Sequence, residues 1–119
     1  MNNIAEESLL LDFYGSLLSD RKQEVVRFYH EDNLSLSEIA EELGVSRNAV
    51  YDALKKAEAQ LAEYERKLGL VQKYEESSRR TAEIRAACGK LLELIPAENT
   101  QAVRAAQEIL ALAGEPELE

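Results

Sequence analysis

The chain has 119 residues and carries 23 acidic side chains against 14 basic ones, a formal charge of -9. That length leaves room for one small domain with an extension and for a real hydrophobic core, while a single cysteine, Cys88, excludes an intrachain disulfide and any cysteine cage for a metal. The acids run throughout, seven against three bases in residues 1–35, seven against five in 36–70 and nine against six in 71–119, so the chain as a whole repels phosphate at long range.

No stretch approaches the roughly 20 apolar residues that span a bilayer. The N-terminus lacks the basic segment and apolar run of a signal peptide. These features predict a soluble, cytoplasmic protein with no membrane insertion.

Glycine and proline are scarce, Ala, Leu, Glu and Lys abound, and no alternating pattern lasts long enough for a strand. The fold class is therefore all-α. A short first helix lies in "LLLDFYGSLL", with Leu10, Phe13, Tyr14 and Leu17 at helical spacing. Ser19 and Asp20 are start signals for a second helix, and Asp20 with Gln23 has the spacing of a capping box. Val25, Val26, Phe28 and Tyr29 supply its buried side before "EDN" ends it. Ser35, three residues before Glu38, opens a third helix that Gly44 closes.

Ser46 caps a long fourth helix that runs to Leu68, before Gly69. On it Val50, Leu54, Ala57, Leu61, Tyr64 and Leu68 recur at spacings of 4, 3, 4, 3 and 4, a heptad seam. A helix of about 22 residues is roughly 33 Å long, so its second half is expected to project beyond the first three helices and to need cover. Tyr74, Ser77, Thr81, Ile84, Cys88, Leu91 and Ile95 extend the same spacing along a fifth helix, which Pro96 ends. A sixth helix, about 99–113, places Val103, Ala106 and Leu110 on one stripe, with Ala102, Ala105 and Ile109 beside it. The tail "GEPELE", from Gly114, is expected to be flexible.

The informative stretch is "LSLSEIAEELGVSRNAVYDALKKA", from Leu34 to Ala57. Ile39, Leu43, Val45, Val50 and Leu54 are apolar where two steeply crossing helices share a core, Ala40 is small enough for close approach, and Gly44 suits the turn. These residues spell a helix-turn-helix over about 36–57. In a major groove its second helix presents Ser46, Arg47, Asn48, Tyr51 and Asp52, with Lys55 a turn further on. Arg47 suits a guanine edge or a phosphate, Asn48 an adenine, and Ser46 and Lys55 the backbone, whereas Asp52 repels phosphate unless it accepts from a cytosine amine. Ser46–Ala57 holds Arg47, Lys55 and Lys56 against Asp52 alone, a basic island in an acidic chain.

From Leu9 to Leu70 the sequence resembles the YlxM family of small bacterial helix-turn-helix proteins, most specifically in "DFYGSLLS", "EIAEELGVSRNAVYDALKKAE" and "YERKLGL". The helix-turn-helix portion also resembles region 4 of bacterial sigma factors, which reads promoter DNA. Sigma region 4 usually carries more basic character at the positions of Tyr51 and Asp52, and "VYD" here follows YlxM instead. The resemblance implies a sigma region 4-like bundle with a long fourth helix and a helical C-terminal extension. It further implies a regulatory role in the signal recognition particle pathway, with double-stranded DNA as a partner. The alternative it implies is an adaptor that docks on the particle's protein or RNA without binding DNA.

The expected organisation is a helix-turn-helix domain over 1–70, a helical extension over 71–113 that pairs subunits, and a tail over 114–119. Leu54, Ala57, Leu61, Tyr64, Leu68, Ile84 and Leu91 form the expected seam of a homodimer. His30, the lone histidine, reads as an exposed helix end, and Cys88 reads as a small core residue. The pairs Glu6/Glu7, Glu41/Glu42 and Glu75/Glu76 read as solvated faces, since adjacent helical residues diverge by about 100°. No catalytic residue, cofactor or metal is expected, and the protein is read as a non-enzyme.

Overall fold

The structure, a computed structural model, describes residues 4–114. Among them are six α-helices and no strand: α1 Ile4–Tyr14, α2 Asp20–His30, α3 Leu36–Leu43, α4 Arg47–Leu68, α5 Leu70–Leu94 and α6 Thr100–Leu112, with a 3₁₀ turn over Gly15–Leu17. The protein is thus all-α. No helix among the described residues is long and apolar enough to cross a membrane. The chain forms two compact units that meet in sequence between Val71 and Gln72. The tail beyond Gly114 lies outside the described residues.

In the first unit, local signals set the helix ends. Ser19 stands in extended backbone and its Oγ accepts from the Lys22 N–H at 3.3 Å. The cap is therefore Ser19 and not the Asp20/Gln23 box, and Asp20 is the first helical residue, where its carboxylate complements the helix dipole. Ser35 and Glu38 form the reciprocal box: Ser35 Oγ accepts from the Glu38 N–H at 3.1 Å while Glu38 Oε1 accepts from the Ser35 N–H at 2.8 Å. Gly44 and Gly69 end α3 and α4 in the left-handed region, at φ 68° and 63°, where a side chain would be strained.

Between these ends the apolar faces close on one core. Leu10, Leu11 and Tyr14 of α1, Val25 and Val26 of α2, and Ile39 and Ala40 of α3 are buried together with Val50, Leu54, Ala57 and Leu61 of α4. Each large side chain so removed from water stabilises the fold by about 1.5–3 kcal/mol. Leu17, expected inside, is 55% exposed, and Leu18 takes the buried place. The helix ends in a 3₁₀ turn over residues 15–17 and the backbone is extended at Leu18, φ -80° and ψ 156°, so the direction of Leu18 no longer follows helical spacing.

The second half of α4 does not await an outside surface. The Tyr64 ring lies 5.9 Å from that of Tyr14, its hydroxyl donates to the Leu17 carbonyl at 3.5 Å, and Leu61 is 4% exposed. The seam residues Leu54, Ala57 and Leu61 are therefore the inner face of this chain's own bundle rather than a contact between subunits. The 3-4 spacing that marks a coiled coil also marks any helix with one buried face, and here α1, α2 and α3 together cover it.

In the second unit, α5 from Gln72 pairs with α6. Asn99 Oδ1 caps α6 by accepting from the Ala102 N–H at 3.1 Å. Cys88 is buried, and its Sγ donates to the Ala106 carbonyl at 3.1 Å. Arg85 Nη1 donates to the Leu110 and Ala113 carbonyls at 3.1 and 3.4 Å, groups that the end of a helix leaves unpaired. The inner stripe is displaced from the expected one. Tyr74, Ser78, Thr81 and Leu92 are half-buried, while Ser77, Ile84 and Leu91 are exposed. A 13-residue α6 covers one side of α5, and the seven-residue repeat of 77, 84 and 91 falls outside it.

Candidate nucleic-acid interface

Two constraints orient the amino-terminal half of α4. Its inner face, Val50 and Leu54, packs in the core with Ile39 and Ala40 of α3. The left-handed Gly44 turns the chain between the two helices, with the Val45 N–H donating to the Ala40 carbonyl at 3.1 Å. The helix then begins at Ser46, whose Oγ accepts from the Ala49 N–H at 3.0 Å. A serine hydroxyl that accepts in this way still has its own proton to donate outward.

With Val50, Leu54 and Ala57 turned in, Arg47, Asn48, Tyr51, Asp52 and Lys55 are all exposed on α4. Eight residues of rise carry this face over about 12 Å, close to the width of a B-DNA major groove. Arg47 and Asn48 make no side-chain hydrogen bond or ion pair among the described residues, so both are available to a ligand. Lys55 is more engaged: its Nζ lies 5.6 Å from the centre of the Tyr51 ring and 4.0 Å from Glu58 Oε1. The first attraction orders the two side chains over one another, and the second offsets part of the lysine charge.

The electrostatics are mixed. Arg47, Lys55 and Lys56 make the exposed start of α4 basic, whereas Asp52 on the same helix and Glu38, Glu41 and Glu42 on α3 are exposed acids. All the groove-facing residues expected from the sequence are thus brought to one accessible surface. The expected seam is not brought together: Leu54, Ala57 and Leu61 are interior, Tyr64 is half-buried, and Leu68, Ile84 and Leu91 are exposed. The sequence reading also missed a cluster. His30 is not an exposed helix end; its side chain is 15% exposed and lies between Glu7 and Glu58.

Residues 1–96 match the model of a family described as "UPF0122: Putative helix-turn-helix protein, YlxM / p13 like". The chain belongs to this family. The match extends past Leu70, where the resemblance in the sequence faded, and takes in all of α5 but not α6. Among its relatives is a UPF0122 protein of Desulforamulus reducens, 46% identical over 84 residues that cover 71% of this chain and 72% of that one. A UPF0122 protein of Caldanaerobacter subterraneus subsp. tengcongensis is 49% identical over 78 residues, 66% of this chain and 67% of its own. One from Bacillus cereus is 51% identical over 76 residues, 64% and 69% of the two chains.

Proposed function

We propose that this YlxM-family protein is a cytoplasmic regulator of the signal recognition particle pathway that acts by binding rather than catalysis, and that the exposed start of α4 docks in the major groove of duplex DNA. The observation that carries the DNA reading is the pairing of a locked inner face with a free outer one. Val50 and Leu54 hold the helix in place while Arg47 and Asn48 stand exposed in its first turn. A helix backbone held in this way loses little freedom on docking, and only the side chains remain to be ordered. The link to the targeting particle rests on the family resemblance.

Fluorescence anisotropy with labelled duplexes tests the DNA reading. Arg47→Ala costs about 1–3 kcal/mol of affinity where it meets a base edge and relaxes specificity there, while Lys55→Ala weakens all sequences alike and lowers the salt slope by about one unit. Failure of the native protein to bind any duplex at low salt overturns it.

A second reading is favoured by Asp52, which stands on the groove face, and by the charge of -9. In it the same surface meets a basic protein or an RNA of the targeting particle, and acid meeting base supplies the attraction. Asp52→Lys separates the two. If this change creates duplex binding where the native protein has none, the motif is a DNA reader's scaffold turned away from phosphate. Calorimetric titration against the particle's protein and RNA then identifies the partner.

A further inference from the structure

His30 closes α2 between two carboxylates that arrive from helices remote in sequence. Its Nδ1 lies 3.0 Å from Glu7 Oε2 of α1, and its Nε2 lies 3.2 Å from Glu58 Oε2 of α4. A neutral imidazole has one N–H and one lone pair, and an ionised carboxylate only accepts. With the ring neutral, one of the two contacts sets lone pair against lone pair, an arrangement that a positive charge placed there turns from repulsive to attractive.

We propose that Glu7, His30 and Glu58 form a binding site for a divalent transition-metal ion of the zinc class. One donor atom from each residue lies within 4.8 Å of the others. Zinc bonds to imidazole nitrogen and carboxylate oxygen are about 2.0–2.2 Å long, so tetrahedral donors sit roughly 3.3 Å apart. The ion takes one ring nitrogen. The carboxylate against that nitrogen, at 3.0 or 3.2 Å, already has this spacing, and the other, now against the opposite nitrogen, must swing toward it from within 4.8 Å. The Glu7 and Glu58 side chains retain 26% and 32% exposure and can make this swing by rotation. Three protein donors leave the fourth tetrahedral position to water.

The donor set selects the ion. Imidazole suits zinc, nickel, copper and iron, whereas calcium takes six to eight oxygens and magnesium keeps its waters. Two carboxylates neutralise the 2+ charge. The way in is a cavity of about 510 Å³ lined by Glu7, His30, Tyr29, Asn33, Ser35 and Glu38, among others. The Tyr29 ring stands edge-on to the imidazole, at 5.1 Å and 88°, and steadies its plane. Lys55 Nζ reaches the other oxygen of Glu58, Oε1, at 4.0 Å and leaves Oε2 to the ion. An ion held here fastens α1 to α2 and α4, so it binds the folded chain and not the unfolded one.

The test is calorimetric titration of the full chain with zinc chloride in a non-coordinating buffer, using a Cys88→Ser background to remove the only thiol. One ion per chain and a rise in melting temperature are expected. Glu58→Gln, which keeps the side chain's shape, is expected to weaken binding at least tenfold, since even outer-shell partners of a metal cost about 10–100-fold. His30→Ala is expected to abolish it. Circular dichroism of each variant separates loss of the site from loss of the fold, and Co²⁺ bound to the native chain provides a visible absorption that must vanish in the His30→Ala protein. No saturable binding overturns the proposal, as does binding that Glu7→Gln and Glu58→Gln leave unchanged. His30 ring nitrogens whose resonances do not shift on adding zinc overturn it equally.

Discussion

Tyr14 carries more of this fold than its apolar ring suggests. It is buried against the Tyr64 ring, and its hydroxyl donates to Glu65 Oε1 at 2.6 Å while accepting from the Leu70 N–H at 3.1 Å. The same Glu65 oxygen accepts from the Val71 N–H at 3.0 Å. The first N–H groups of α5, which a helix cannot satisfy itself, are therefore capped by residues of α1 and α4. Burial, and next the bond to Glu65, push the Tyr14 hydroxyl's pKa above its ordinary 10.0. A group that ionises less readily when folded stabilises the fold below pH 10, and that contribution is lost as pH rises through the raised value. Tyr14→Phe is expected to cost about 1–3 kcal/mol, because it strands the Glu65 and Leu70 groups. It should also flatten the fall of stability above pH 10. Urea unfolding from pH 7 to 11 measures both effects, and an alkaline limb identical in the two proteins sinks the account.

At the scale of elements, what could be read from the sequence was local. Ser35 with Glu38, Ser46, Gly44 and Gly69 mark helix ends through contacts three or four residues away, and the structure places each of those ends as read. Ser46→Ala removes the bond to the Ala49 N–H and is expected to cost about 0.5–2 kcal/mol, seen as a lower urea midpoint with an unchanged slope. A loss below this range would mean that water replaces the cap fully. The apolar stripes were harder to read, because a repeat fixes a face but not what covers it. The α4 stripe meets α1, α2 and α3 rather than a second subunit, and on α5 Leu92 is half-buried where Leu91 was expected. The exposed reading face, Arg47 to Lys55, was legible because the buried positions between its members fix its direction. The Glu7–His30–Glu58 cluster was not, since its members lie 23 and 28 residues apart and only the packing of three helices joins them.

For the whole molecule, the first unit uses Leu54, Ala57 and Leu61 of its heptad internally, and pairing of two copies is expected of the second. There Ile84 and Leu91, seven residues apart, share a face of α5 and are exposed, and Leu94 and Leu112 are 81% and 88% exposed. Apolar side chains gathered on a small helical pair gain by covering one another, and a second copy offers the matching surface. Sedimentation equilibrium is therefore expected to give about twice 13.4 kDa. Leu91→Glu should return a folded monomer. Leu61→Glu should instead unfold the chain, since it buries a charge where 4% of the side chain meets water. A monomer at several hundred micromolar, or a dimer that Leu61→Glu splits into folded halves, refutes this assignment. Salt supplies an independent sign. Two copies each bring a charge of -9, so their repulsion weakens as ions screen it and the dimer should tighten with salt. Binding of α4 to DNA releases counterions and must weaken over the same range. Opposite slopes are what apolar pairing and charge-driven DNA binding predict, and a dimer that loosens as salt rises refutes pairing through the apolar face.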